Sequence, residues 1–174
     1  MDGLRNRFPV VLHIARKDGR IDRQEWDSIS AIFKQSQNAL LALKPGPSTQ
    51  TKPDLAWKHT RGLPYVPSPL AYQGHVYLVK NGGMVTCLKS ESGEVVYQEE
   101  RLGALGDYYA SPIAVGGNIL VASQRGVVTV FDAGSSALHI RHQVPFEEAI
   151  MATPAVAGNR LYLRTANNFY CFGQ

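Results

Sequence analysis

The chain has 174 residues, of which 44% are hydrophobic and 18% are charged. This length and composition fit one ordinary domain with an apolar core, and they exclude a disordered or collagen-like chain. The formal net charge of +4 arises in residues 1–53, whereas residues 54–174 carry as many Lys and Arg as Asp and Glu. That balance argues against a broad nucleic-acid surface, so no nucleic-acid partner is predicted.

The sequence contains no membrane or targeting segment of the usual kinds. No run approaches the roughly 18 apolar residues of a transmembrane helix. Arg5 and Arg7 precede only a short apolar run, and Arg16 and Lys17 follow it, which does not match a signal peptide. Two interpretations stay open, namely a cytoplasmic chain or a chain whose true N-terminus lies upstream.

Residues 1–37 are predicted to be a helical segment. Asp22 fits the position of a helix N-cap, and Glu25 follows three residues later, as in a capping box. Apolar residues then recur at helical spacing and predict one apolar stripe, formed by Trp26, Ile29, Ile32 and Phe33.

The residues before this helix resemble the second half of an EF-hand loop. Asp18 and Asp22 supply carboxylates, and Glu25 stands where the bidentate calcium ligand would be. The first and third loop positions, however, are Ile14 and Arg16, which do not ligate calcium as the loop requires. We therefore predict a degenerate EF-hand-like segment, with a calcium site at Asp18, Asp22 and Glu25 as the alternative.

Residues 38–60 are ambiguous when they are taken alone. An apolar run over residues 39–44 ends before Pro45, and a second segment over residues 54–60 contains Trp57. Such short runs are compatible with a helix end or with strands. The repeat that follows them decides in favour of strands.

One motif occurs three times in the sequence. It consists of Ser or Thr followed by Pro, an apolar strand, a turn and a second apolar strand. The three prolines stand 43 and 42 residues apart. A fixed period of this length with all-strand units is typical of propeller blades. Asn81-Gly82-Gly83 adds a strong hairpin signal within the first copy. The copies begin at Ser68-Pro69, Ser111-Pro112 and Thr153-Pro154.

Counting from these prolines predicts an all-β fold, a partial β-propeller of about three four-stranded antiparallel blades after the helical segment. Residues 68–100 and 111–142 are two blades, residues 153–174 are three strands of another, and residues 38–60 are two outer strands of a blade. Propellers close with four to eight blades. We therefore expect the C-terminal part of a larger propeller, completed by remaining blades, or a ring closed by self-association.

The repeat unit resembles the pyrroloquinoline-quinone-type (PQQ-like) propeller repeat over residues 38–174. That family includes quinoprotein alcohol dehydrogenases and the non-catalytic lipoprotein of the outer-membrane β-barrel assembly machinery. Of its tryptophan-docking consensus, Trp57 keeps the tryptophan and Asp132 keeps the aspartate. The dehydrogenases use an adjacent Cys–Cys pair, whereas the cysteines here are Cys87 and Cys171. The resemblance therefore implies the non-catalytic branch.

The function that the resemblance implies is a non-enzymatic scaffold that binds a protein or peptide partner, with a periplasmic or other extracytoplasmic location. The alternative is a fragment of a PQQ-dependent dehydrogenase, which would take PQQ and calcium as cofactors. No set of residues matches the quinone or calcium ligands of that family, so no cofactor is the favoured prediction.

The candidate site is the propeller face on which the loops entering the first strands meet the second-to-third hairpins. Tyrosines there would give amphipathic contact area, and charged side chains would give complementarity. The alternative is that these loops only pack neighbouring blades, with their tyrosine hydroxyls bonded to the backbone. The candidate residues are Tyr65, Lys80, Asn81, Asp107, Tyr108, Tyr109, Gln124, Arg125, Met151 and Asn167.

Other reactive side chains form no recognisable catalytic pattern. The five histidines lack metal-ligand spacing, and no Ser, His and Asp set converges in the sequence. Cys87 and Cys171 occupy similar positions in different repeats, which would keep them apart, so we expect two free, buried thiols.

Overall fold

The computed structural model describes residues 22–35, 38–44 and 54–173. The chain divides into two units, Met1–Asn38 and Ala39–Gln174. In the first unit, helix α1 spans Arg23–Gln35. It begins directly after Asp22, whose carbonyl accepts a hydrogen bond from the Trp26 amide at 3.0 Å, as the carbonyl of an N-cap residue does.

Most of the predicted calcium loop lies outside the described residues. This applies to Asp18 and to the side chain of Glu25, while Asp22 is described and exposed. No three His, Cys, Asp or Glu side chains cluster as metal ligands within the described part of the chain. In that same part, no helix combines the length and apolar character that a membrane crossing requires.

The second unit contains four antiparallel sheets in the described residues, and each follows the chain in order. Sheet 1 consists of β1 (Leu40–Lys44) and β2 (Asp54–His59). Sheet 2 consists of β3 (Leu70–Tyr72), β4 (His75–Lys80), β5 (Met84–Lys89) and β6 (Val95–Arg101). Sheet 3 consists of β7 (Ile113–Val115), β8 (Asn118–Ala122), β9 (Val127–Asp132) and β10 (Ile140–Pro145). Sheet 4 consists of β11 (Ala155–Ala157), β12 (Arg160–Arg164) and β13 (Phe169–Gly173).

These sheets confirm the predicted all-β class and the four-stranded antiparallel blade. The strands are rich in β-branched and aromatic residues, which suit sheets packed face to face. The turn between β4 and β5 uses Gly82 and Gly83 at φ of 85° and 68°, backbone conformations that glycine adopts without steric cost. Tight hairpins of this kind keep consecutive strands adjacent in each sheet.

Apolar side chains fill the spaces between neighbouring sheets. Because side chains alternate along a strand, the inner strands of sheet 2 face two neighbours at once. Val76 and Leu78 pack with Trp57 of sheet 1, whereas Tyr77 packs with Phe131 of sheet 3. The rings of Tyr77 and Phe131 meet edge to face, with 6.1 Å between their centroids. A further apolar cluster joins sheets 3 and 4.

The hydroxyls before the second and third prolines each link their copy of the repeat to the preceding one. The amide of Ser68 donates to Oγ of Ser111 at 2.9 Å, and the amide of Ser111 donates to Oγ1 of Thr153 at 2.9 Å. Each hydroxyl thus satisfies a backbone donor in the preceding copy. This ladder explains why Ser or Thr recurs with the proline at a fixed period.

Trp57 anchors sheet 1 on the turn between β5 and β6. Its indole nitrogen donates to the carbonyl of Ser90 at 2.9 Å, and its ring occupies the space where a Cβ of Gly93 would lie. The tryptophan that the resemblance singled out therefore docks on the neighbouring sheet.

Two details differ from the expectations. Both cysteines are free, and Cys87 is buried as predicted, but Cys171 is exposed because it lies on an uncovered side of sheet 4. Strand β10 continues to Pro145, past the predicted limit of residue 142, because Val144 and Pro145 still pair with β9 beyond an irregularity between Ile140 and His142.

Candidate partner-binding face

The loop face consists of the hairpins after β4, β8 and β12 together with the loops that enter β3, β7 and β11. Its first junction joins the β4–β5 hairpin to the loop before β7. The amide of Tyr108 donates to Oδ1 of Asn81 at 2.9 Å, and the amide of Gly82 donates to the carbonyl of Gly106 at 2.8 Å. The hairpin of one sheet therefore fixes the loop that enters the next.

The second junction repeats this arrangement one sheet further along. The amide of Gln124 donates to the carbonyl of Asp107 at 2.8 Å, and the carbonyl of Gln124 accepts from the amide of Ile150 at 3.3 Å. The side chain of Arg125 lies over Gly106, where an added Cβ would come within 3.1 Å of its Cγ. Gln124 thus joins the loop that enters β7 to the loop that enters β11.

The third junction depends on Glu148, which was not among the predicted site residues. Its carboxylate accepts hydrogen bonds from Oγ1 of Thr165 at 2.5 Å, from the amide of Asn167 at 2.9 Å and from Nδ2 of Asn168. The Thr165 hydroxyl, followed by the Asn167 amide, holds the pKa of Glu148 below its usual range because these donors favour the charged carboxylate. Glu148 thereby ties the loop before β11 to the hairpin after β12.

Glu148→Gln should reduce the free energy of unfolding at neutral pH, because an amide cannot accept all three hydrogen bonds. The pKa of Glu148 is lower in the folded state than in the unfolded state. The charged carboxylate therefore stabilises the fold at pH values above the unfolded pKa. The deficit of the variant should therefore shrink as pH falls below about 4.3, the usual value for Glu. Urea unfolding at a series of pH values measures this deficit. The exposed neighbour offers the control Glu147→Gln, which should change stability by less than about 0.5 kcal/mol. A deficit that does not vary with pH would contradict the assignment.

The structure brings the predicted residues to one face but presents them unequally. Tyr65 is 85% exposed, Met151 is 50% exposed, and Arg125 and Asn167 are exposed as well. The half-buried members are Lys80, Asn81, Asp107, Tyr109 and Gln124.

Lys80 and Tyr108 already have partners within the fold. The ammonium of Lys80 lies 2.7 Å from a carboxylate oxygen of Glu99. Tyr108 is fully buried, its hydroxyl donates to the carbonyl of Ala104 at 2.8 Å, and burial raises its pKa to about 12. Tyr108 as a contact residue is therefore wrong, because its ring is part of the core and a partner cannot reach it.

A cavity of about 180 Å³ opens beside Met151. The side chains that line it are mostly small and apolar, and they include one guanidinium and one hydroxyl group. A space of this size accommodates one side chain of a partner rather than a whole ligand. The lining residues are Ala149, Met151, Ala152, Arg164, Thr165 and Ala166.

A second charged cluster surrounds Asp132, which ends β9. Its carboxylate accepts from Nε of Arg141 at 2.5 Å and from Nδ1 of His139 at 2.8 Å. The hydrogen bond from Arg141, followed by that from His139, lowers the pKa of Asp132. The aspartate that the docking consensus retains thus ties β9 to β10 and lies outside the loop face.

Solved structures with the same architecture are β-propellers. BamB from Moraxella catarrhalis is 20% identical, with a TM-score of 0.55, over 68% of this chain and 36% of its own length. The β-propeller domain of Cps50 (Swd1) from Myceliophteria thermophila is 18% identical, with a TM-score of 0.52, over 71% of this chain and 46% of that one. A quinohemoprotein alcohol dehydrogenase from Pseudomonas putida HK5 is 14% identical, with a TM-score of 0.49, over 64% of this chain and 24% of its own.

The fold is that of a β-propeller. No family model matches the chain, and no curated protein matches it. The chain spans 36% of the length of BamB and 46% of the Cps50 domain. At these identities the likeness concerns the fold, because one propeller architecture carries many unrelated functions. The presence of BamB among the similar structures agrees with the predicted propeller fold.

Proposed function

We propose that this chain is a non-enzymatic β-propeller scaffold that binds a protein or peptide partner at the loop face. The observation that supports this most directly is the set of exposed side chains on loops that are fixed by hydrogen bonds. Tyr65, Arg125 and Met151 are exposed, and Asn81 and Gln124 hold the loops that enter β7 and β11. Tyrosine, methionine and arginine are side chains enriched at protein interfaces.

Fixed loops favour binding because less conformational freedom is lost when a partner docks. The junctions through Asn81, Gln124 and Glu148 hold three hairpins against the two loops that enter β7 and β11. The cavity beside Met151 would take one apolar side chain of the partner, and its Arg164 would suit a nearby carbonyl or carboxylate. An extended peptide with a small apolar anchor fits this description.

Selection of peptides from a random displayed library on the purified chain tests the proposal. We expect enriched peptides whose binding falls at least tenfold in Met151→Asp and in Arg125→Glu. Val95 offers a matched control, because it is 41% exposed and follows the β5–β6 turn, away from the loop face. Val95→Asp should leave binding unchanged. Selected peptides that bind all of these variants equally would contradict the loop face as the site.

The quinoprotein alternative is tested by adding PQQ with calcium and recording the absorbance of the bound quinone. Stoichiometric uptake would favour a dehydrogenase fragment over a scaffold. We expect no such uptake, since Cys87 and Cys171 are far apart in the sequence and no residue set matches the quinone ligands. Calcium alone, in a melting experiment against chelator, tests the site suggested at Asp18, Asp22 and Glu25.

A further inference from the structure

The hairpin between β4 and β5 begins with Asn81, and Gly82 follows it directly. Asn81 is the single asparagine of the sequence that has a glycine after it. Because glycine has no side chain to shield its own backbone nitrogen, this nitrogen can approach the side-chain carbonyl carbon of the preceding asparagine. Asn81 and Gly82 thus place an electrophile beside a nucleophile in adjacent residues.

The reaction open to such a pair is deamidation by intramolecular attack. The backbone nitrogen of Gly82, after losing its proton to solvent, bonds to Cγ of Asn81, and the bond from Cγ to Nδ2 breaks to release ammonia. Water then opens the cyclic imide at either of its carbonyl carbons. One opening leaves an aspartate at this position, and the other leaves an isoaspartyl linkage, in which the backbone runs through the side chain. The net reaction consumes water and releases ammonia.

In the folded chain, both reacting groups are held by the loop that enters β7. Oδ1 of Asn81 accepts from the amide of Tyr108 at 2.9 Å, and the amide of Gly82 donates to the carbonyl of Gly106 at 2.8 Å. The attack needs the nitrogen about 3–3.5 Å from Cγ with aligned orbitals, and it needs the amide proton to leave. Free rotation of the Asn81 side chain and loss of that proton both require these hydrogen bonds to break.

Further contacts keep this junction closed. The amide of Leu102 donates to the carbonyl of Gly83 at 2.8 Å. The ring of Tyr108 is fully buried, and its hydroxyl donates to the carbonyl of Ala104 at 2.8 Å. Release of the hairpin therefore requires local opening of the junction rather than the movement of one side chain.

We propose that Asn81 is a modification site that the junction protects, and that it deamidates when the junction opens. The site does not depend on the proposed partner binding, because its chemistry belongs to the hairpin itself. The two products should act differently on the fold. An aspartate keeps an oxygen that accepts from the Tyr108 amide, whereas an isoaspartyl linkage lengthens the backbone of a tight turn and should release the loop that enters β7.

Mass spectrometry of the peptide that contains Asn81, after incubation at mildly alkaline pH, tests the protection. We expect conversion to be at least tenfold slower in the folded chain than in the chain unfolded by urea, because modification through local opening follows the open fraction. Asn159 is an internal control for accessibility, since it is exposed and precedes Arg160, and it should convert slowly in both states. Equal rates at Asn81 in the two states, or an Asn81 that stays intact in urea, would overturn the proposal.

Gly83→Ala should open the junction and speed the conversion of Asn81 in the folded chain at least tenfold. An added Cβ at Gly83 would lie 2.6 Å from the carbonyl oxygen of Ala104, so the hairpin and the loop must separate. Gly117→Ala is the matched control, because Gly117 also has a positive φ and an added Cβ there meets no described atom within 4 Å.

Circular dichroism establishes that both variants are folded, and their rates in urea correct for any effect of the substitution on the chemistry itself. Equal rates at Asn81 in the two folded variants would show that the junction does not control the reaction. The comparison of the folded and unfolded wild-type chain needs no variant, so it decides the proposal even if Gly83→Ala does not fold.

The effect of each product on the fold is measured separately. Asn81→Asp supplies one product directly and should melt close to the wild-type chain. The isoaspartyl chain, separated by ion exchange after conversion in urea and then refolded, should melt at a lower temperature and be cleaved faster by protease between Leu102 and Tyr108. Equal melting and cleavage of these two chains would overturn the release of the loop.

Discussion

Gly126→Ala should be among the most destabilising single substitutions in this chain. Gly126 lies in the β8–β9 hairpin at a φ of 83°. A Cβ there would collide with the carbonyl oxygens of Phe146 and Glu148, which are backbone atoms of the loop that leads to β11. The Phe146 amide also donates to the Gly126 carbonyl at 2.7 Å, so the loop cannot withdraw without breaking this hydrogen bond.

The expected loss is about 3 kcal/mol or more, because backbone must move in addition to the strain of a left-handed alanine. Gly117→Ala is a matched control in the same sheet. Gly117 has the same φ of 83°, but among the described residues an added Cβ meets no atom within 4 Å. Gly117→Ala should lower the free energy of unfolding only by the strain of a left-handed alanine, about 1–2 kcal/mol. Urea unfolding of both variants measures the difference, and equal losses would show that the loop contact contributes nothing.

The proline spacing predicted the sheets because the same requirement recurs in each copy. The hydroxyls of Ser111 and Thr153 accept from the amide one repeat earlier, so a Ser or Thr is needed once per period. Glycines such as Gly82 and Gly83 are needed at the hairpins for their positive φ. Requirements that recur once in every copy leave a direct record in the sequence.

The exposure of individual loop residues could not be predicted in the same way. Tyr108 and Tyr109 are adjacent, yet Tyr108 is buried and Tyr109 is half-buried. The Tyr108 side chain packs in the core shared by sheets 2 and 3, and its amide donates to Asn81, a residue in the hairpin of another sheet. The carboxylate of Glu148 likewise joins two loops only because it accepts hydrogen bonds from Thr165 and Asn168. The β11–β12 hairpin separates these two residues from Glu148 in the sequence. Residue type and spacing do not encode such long-range contacts.

Gly93→Ala should also cause a large loss of stability, and the loss should depend on Trp57. Gly93 has a φ of 73°, and an added Cβ would lie 2.6 Å from Cδ2 of the Trp57 ring. The indole cannot remain there and keep its hydrogen bond to Ser90, which is 2.9 Å long. The variant therefore separates sheet 1 from the turn on which it docks, at a cost of about 2–4 kcal/mol.

A double-mutant cycle with Trp57→Ala isolates this contact. Trp57→Ala alone should cost about 2–3 kcal/mol, since the ring is half-buried and loses both packing and one hydrogen bond. In that background Gly93→Ala meets no ring, so it should add only the strain of a left-handed alanine, about 1–2 kcal/mol. The two losses should thus be markedly less than additive. Simple additivity would mean that the indole does not dock at Gly93, and sheet 1 would then lack this anchor to the rest of the propeller.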